Sequence, residues 1–266
     1  MYNVVITGST KGFGFSLARK FLELGDSVVI SSRDDARVKK ALAKLKDLFP
    51  DGKVYGMTCD VRAKENVEAL GQFAMEKLGS IDIWVNNAGI SAKNTPLVDL
   101  SEADIRSVID TNVMGAIFGC QVALKIMLKQ KSGRIFNLEG MGSSEKHIIA
   151  DQVPYIISKA VMPKLTKSLK LELKDTGVAV HSINPGMMVT NLVVKNIGNE
   201  PKIFNILAET PKTVADYLVP KMRDVKGKGK KLKFIKGWKV ALKFMTAWRY
   251  RDRFMDKDGN LLIELE

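Results

Sequence analysis

Cysteine and histidine are scarce in this 266-residue chain, at two residues each. Cys59 and Cys120 stand far apart without metal-ligand spacing, which excludes a disulfide scaffold and suits a reducing compartment. His147 and His181 cannot build a histidine-rich metal site, so no metal is expected. No apolar run approaches the roughly 18 residues that span a bilayer. Nor is a signal or transit peptide expected ahead of the apolar run that begins at Val4. Repeats of 20–50 residues, the mark of solenoids, are also missing. Acidic residues are outnumbered, 29 against 42 basic, for a formal net charge of +13. That excess suggests a polyanionic partner: nucleic acid, an anionic membrane surface or a phosphorylated ligand. Apolar material is not lacking. With 45% hydrophobic and 27% charged residues, disorder is excluded and one large α/β domain can be filled.

The apolar residues follow a regular rhythm. Short β-branched runs at Val4–Thr7, Ser27–Ser31, Lys53–Thr58, Ile81–Val85, Arg134–Leu138 and Val178–Ile183 read as strands. Between them lie helical stretches at Phe13–Leu24, Asp35–Phe49, Ala63–Leu78, Ser101–Lys129 and Tyr155–Lys174. Continuous apolar strands alternating with helices predict a single doubly wound parallel sheet of the Rossmann type, with helices on both faces. After Pro185 the alternation fades. One domain over 1–266 is expected, with 191–220 as a substrate lid and 221–253 as a basic helical C-terminal extension.

The first strand–helix turn reads Thr7-Gly8-Ser9-Thr10-Lys11-Gly12-Phe13-Gly14. Glycines there let backbone approach a pyrophosphate, which a helix N-terminus also favours. Gly8, Ser9, Lys11, Gly12, Phe13 and Gly14 are therefore candidate cofactor-binding residues. The second strand ends Ser31-Ser32-Arg33, without the carboxylate that would hold an NAD ribose. Ser32, with Arg33 and Lys11 as cations, suits a 2′-phosphate and so NADP(H). Tyr155 and Lys159 stand at i and i+4, on one helix face. A free phenol has a pKa of about 10, too high for proton transfer near neutrality, and a lysine fixed beside it favours the phenolate.

Further markers follow in order: Asp60-Val61, Asn86-Asn87-Ala88-Gly89, Asn112 and Pro185-Gly186-Met187-Met188-Val189-Thr190. With these the chain resembles the short-chain dehydrogenases/reductases over about residues 3 to 190. The resemblance implies that Asp60 and Val61 hold the adenine. It implies that Asn86 to Gly89 line the nucleotide cleft, and that Lys159 binds the nicotinamide ribose. Met188 and Thr190, in the loop opened by Pro185 and Gly186, would anchor the carboxamide end. Tyr155 would be the general acid in carbonyl reduction by NADPH, and Asn112 would hold a relay water. Members of that family carry a serine just after this strand, where this chain reads Asn137-Leu138-Glu139-Gly140. Ser143, with Ser144 in reserve, is the candidate for the hydroxyl that steadies the substrate oxygen. A nucleotide-binding scaffold with weak or no catalysis is the alternative reading.

The same departure, with Pro185–Leu192, Ile203–Ala215 and Leu218–Gly227, resembles the chlorophyll b reductase branch. That branch reduces a formyl group on a chlorin ring, which implies a hydrophobic carbonyl substrate. Another hydrophobic alcohol or ketone remains open. Family resemblance further implies a dimer or tetramer through Ser101–Lys129 and Tyr155–Lys174. The expected location is cytoplasmic, peripheral to a membrane, or an organelle stroma if a transit peptide has been removed. Residues 221–253 hold 13 basic residues against Asp224 and Asp252. Within them Ile235, Trp238, Ala241, Leu242, Met245 and Trp248 fall on one helical stripe. Three readings stand for this segment: docking on its own body or a neighbouring subunit, contact with an anionic membrane, or binding of single-stranded nucleic acid. The last lacks a recognised motif.

Overall fold

The computed structural model describes residues 1–144, 148–194, 201–235 and 237–263. His147 and Ile197, both weighed above, lie outside the described residues, as does part of the expected lid. Seven parallel strands form one sheet: β1 (Asn3–Ile6), β2 (Ser27–Ser32), β3 (Val54–Thr58), β4 (Ile83–Asn86), β5 (Gly133–Leu138), β6 (Val178–Asn184) and β7 (Lys231–Lys233). Their order is β3-β2-β1-β4-β5-β6-β7, a doubly wound sheet of the Rossmann type. The inner strands are largely apolar because their two faces meet two different cores. Val4 and Ile6 of β1 join one cluster and Val5 the other. Ile83 and Val85 of β4 likewise part from Trp84.

The first core is closed by α1 (Gly12–Glu23) and α2 (Asp35–Leu48). The second is closed by α3 (Lys64–Leu78), by α5 (Gly115–Gln130), which continues from α4 (Glu102–Ile109), and by α6 (Val153–Glu172). A π-helical turn, Asp110–Met114, joins α4 to α5. The continuous helix from Glu102 to Gln130 has the length and apolar composition to cross a membrane. It instead packs against α3, β4 and β5, with half of its most apolar stretch buried.

The chain after β6 differs from its sequence reading. Short α7 (Asn191–Val194) and α8 (Pro201–Leu207) follow the sheet, then α9 (Pro211–Asp224). The expected lid ran to residue 220, but α9 packs on α1. It buries Val214, Ala215, Leu218, Val219 and Met222 in the first core. Residues 211–220 pack as body, because four of those side chains, Val214, Ala215, Leu218 and Val219, are buried within them. The basic extension is not wholly helical either. Lys231-Leu232-Lys233-Phe234 alternates with the period of a strand and adds β7 to the sheet edge. Leu232 and Phe234 turn to the core, Phe234 standing edge-on to Tyr217 at 5.3 Å, while Lys233 is exposed and Lys231 reaches the Glu139 carboxylate. Only then does α10 (Gly237–Met245) begin.

Candidate active site

Strand order reverses between β1 and β4, and their carboxyl ends form the crevice where open α/β sheets take ligands. Gly8, at φ +62°, fills it with bare backbone. A Cβ there would stand 2.7 Å from the Ala88 Cα. At Gly14 it would meet the Gly8 carbonyl oxygen at 2.5 Å. This is a cradle that side chains would fill, backed by the N-terminus of α1, and it suits a dinucleotide phosphate. Across it, Thr190 approaches Gly12, whose Cβ position lies 3.7 Å from Cγ2. The first turn and the loop after β6 thus form the two walls of one cleft.

Several residues expected to face a cofactor instead hold the cleft's shape. The Ser9 hydroxyl donates to the Ile6 carbonyl at 2.6 Å and accepts from the Ser31 amide at 3.0 Å. Asn86 is turned into the core, bonded by the Trp84 indole at 2.8 Å and donating to Asn137 Oδ1 at 2.9 Å. Its neighbour Asn87 donates to the Thr7 and Gly8 carbonyls at 2.9 Å each and pins the glycine turn. At the adenine side, Arg62 makes bonds of 2.5 to 3.0 Å to the Asp60 carboxylate. Those bonds hold Asp60 below the ordinary carboxylate range, with Arg33 adding to the same field. Val61 is buried. Ser32 is half-buried and Arg33 exposed at the end of β2.

On the other wall, α6 carries Tyr155 and Lys159 inward from one face, the Lys159 Nζ 5.9 Å from the phenol ring centre. Lys159 also donates to the Leu138 carbonyl at 3.4 Å, across β5. Burial pushes the phenol up to about 12 and the ammonium down to about 8. Desolvation therefore outweighs, in this chain alone, the phenolate-favouring pull expected of the lysine. Asn112 sits in the π-helical turn, a bulge of the sort found at functional sites. Its carboxamide accepts from the Ile90 amide at 2.8 Å and donates to the Ile90 carbonyl at 2.8 Å and to Ser158 Oγ at 2.9 Å. Gly89 is drawn between Asn112 and Lys159, its Cβ position 3.4 Å from both Oδ1 and Nζ.

The turn after β5 is tied down by Ser143. Its hydroxyl accepts from the Gly140 amide and donates to the Lys159 carbonyl, both at 3.0 Å. Ser144 is exposed. Glu139 stood in the sequence only as part of the departing strand end, with no role of its own. It is buried, accepts from Asn184 Nδ2 at 3.4 Å and pairs with Lys231 of β7. Asn184 Oδ1 in turn accepts from the Gly186 amide at 3.1 Å. On the far side of the same loop, Glu209 bonds Met187 and Val189 through its backbone, and Lys243 and Arg253 through its carboxylate.

A family model described as short chain dehydrogenase matches residues 2–200. Chlorophyll(ide) b reductase NOL, chloroplastic, of Oryza sativa subsp. japonica is 43% identical over 84% of this chain and 67% of its own length. Probable chlorophyll(ide) b reductase NYC1, chloroplastic, of Arabidopsis thaliana is 39% identical over 99% of this chain. The chain spans only 56% of that relative's length. Among solved structures, a variant of actinorhodin polyketide ketoreductase with NADPH superposes with a TM-score of 0.77 at 27% identity, covering 88% of this chain and 95% of its own. Lys231, Lys243 and Arg253 lie beyond the part matched by the family model.

Proposed function

Because this chain belongs to the short chain dehydrogenase family, we propose that it is an NADPH-dependent carbonyl reductase acting on a bulky, apolar aldehyde or ketone. The observation that carries the reading is half-buried Tyr155 beside buried Lys159 on one face of α6, with the Lys159 Nζ 3.4 Å from the Cβ position of Gly89, next to the Ala88 that backs the glycine turn. Gly8, Gly12 and Gly14 would take the pyrophosphate, Arg33 and Lys11 the 2′-phosphate, and Met188 with Thr190 the carboxamide end. NADPH, when bound, supplies the hydride. Tyr155 then gives its phenolic proton to the carbonyl oxygen as negative charge develops there. Lys159, cationic near neutrality at a pKa of about 8, stabilises the phenolate left behind. Asn112 holds Ile90 and Ser158 in place, so that the loop after β4 and α6 keep their distance from the reacting atoms. Ser143 serves by tethering the Gly140 turn beneath Tyr155, its proton being engaged by the Lys159 carbonyl.

The two plant relatives point to a formyl group on a chlorophyll-like tetrapyrrole as the substrate class. A homo-oligomer through α5 and α6 is part of the proposal, since Ile157 and Leu171 stand 54% and 72% exposed on α6. Two buried free thiols, pushed up to about 12 by burial, suit an aqueous reducing compartment such as a cytosol or stroma. The test is NADPH oxidation with a panel of aldehydes that includes chlorophyll b derivatives. Tyr155→Phe should lower kcat by about 10²- to 10⁴-fold while leaving NADPH affinity within a few-fold. Unchanged turnover overturns the assignment. A nucleotide-binding scaffold, suggested by Gly140 in the usual serine position, predicts NADPH binding without turnover of any aldehyde in the panel.

A further inference from the structure

The helix α10 wears its amphipathic pattern inside out. Lys243 points at the body, 15% exposed, and bonds Glu209 at 2.7 Å. About half a turn round the helix, Trp238, Leu242 and Met245 share one stripe at i, i+4 and i+7. Those three are 63%, 50% and 79% exposed, and Trp248 just beyond is 72% exposed. Docking of the stripe on its own body is therefore not what the described residues show: the cation is the anchor and the apolar face looks outward. Such a face marks an interaction surface.

Charge selects the occupant. The stripe sits in the segment that holds 13 basic residues against two acidic ones. In the same segment, Lys226, Lys230, Lys233, Arg249 and Arg251 are exposed. A second copy of this face would bring like charges together, and residues 1–220 are also net basic, with 28 bases against 23 acids. A nucleic acid would use the cations but leave a Leu–Met stripe in water. An anionic bilayer uses both: its headgroups meet the lysines and arginines, while tryptophans settle at the headgroup level. At about 14 Å, α10 is too short to span and would lie in the surface plane. Ile235, which leads into it, approaches Gly186 of the cofactor loop, and α10 packs on α8.

We propose that α10 and its flanking cations form an interfacial anchor for anionic lipid, laying the mouth of the active-site cleft against the membrane. The full chain should pellet with phosphatidylcholine vesicles that contain phosphatidylglycerol, with blue-shifted tryptophan emission, and should detach as salt rises. Trp238→Ser/Trp248→Ser and, separately, Lys230→Glu/Lys233→Glu should each weaken that binding by about tenfold or more while leaving NADPH binding and the thermal midpoint unchanged. Because vesicle binding is read without turnover, it stands apart from the choice of substrate. Failure to pellet at low salt, vesicle binding by either variant as tight as that of the unsubstituted chain, or a dimer that the tryptophan variant converts to monomer without any vesicle binding would each overturn the proposal.

Discussion

Gly140 lies directly under the Tyr155 hydroxyl. A Cβ there would come within 2.7 Å of that oxygen and 3.3 Å of the Lys159 Cγ. The glycine that replaces the family's serine thus makes room for the phenol itself. Gly140→Ala should push the phenol aside, lowering kcat by about 10²-fold while changing NADPH affinity little. Single-turnover kinetics alongside nucleotide titration separate the two effects, and an unchanged kcat would mean that the tyrosine finds other room. His181 supplies a stability test. It is fully buried, stacks on Phe136 and accepts from the Lys230 amide at 3.3 Å. Burial, with Arg134 and Lys230 nearby, pulls it from the ordinary 6.5 down to about 4. Between those values the unfolded chain binds the proton that the folded chain refuses, so stability is present above 6.5 and lost as pH falls through that window. His181→Gln should flatten this part of the Tm-versus-pH curve; an identical slope would place the acid sensitivity elsewhere. Residue by residue, local signals were legible. Tyr155 and Lys159 are one helical turn apart, and the glycines sit in one turn. Asn87 was legible as part of its motif but not as the pin of the glycine turn, because its partner Thr7 is 80 residues away in the chain. The role of Glu139 was missed because only the fold brings Lys231 to it.

Elements whose pattern is continuous were legible too. Six strands stand where apolar runs stood, since a parallel strand between two helical layers has no polar face to confuse the reading. β7 had no such run. Its Lys-Leu-Lys-Phe alternation is three residues of ladder at an edge, and lysines are what keep a short edge from pairing further. The π-helical turn around Asn112 leaves no mark in an apolar periodicity. Residues 211–220 of the Pro211–Asp224 helix were read as lid because its burial depends on α1, which nothing within its own pattern announces. β7 also carries a prediction. Its Lys231 compensates the side chain of Glu139, which is 1% exposed, whereas Lys231 is 32% exposed. Lys231→Ala should cost about 1–3 kcal/mol in denaturant unfolding, less than a fully buried pair because water screens the lysine. Adding Glu139→Gln should recover much of that loss. A double variant as unstable as Lys231→Ala would mean that strand packing, not the ion pair, secures β7.

Across the whole molecule, the excess charge and the additions beyond the family match converge on one carboxylate. Glu209 accepts from the Val189 amide at 2.9 Å through its carbonyl and donates to the Met187 carbonyl at 3.1 Å, so its backbone belongs to the cofactor wall. Its carboxylate receives Lys243 at 2.7 Å and Arg253 at 2.5 and 3.1 Å, so its side chain belongs to the tail. Burial pushes this carboxyl upward, but the bonds from Arg253 and Lys243 outweigh it and hold the group below its ordinary value. A second clip is independent of charge: Asn205 of α8 bonds the backbone of Phe254 and Met255 at 2.7 to 2.9 Å. If Glu209 is the link, ordering the 187–190 loop with NADPH must also steady α10. Hydrogen exchange should then slow in both 187–190 and 237–245 when nucleotide binds. In Glu209→Gln the loop should still be protected while the tail no longer responds, because the neutral amide keeps the backbone bonds but releases both cations. Tail protection that survives in this variant would show that the coupling runs through the Asn205 clip and the Phe204–Phe254 contact instead.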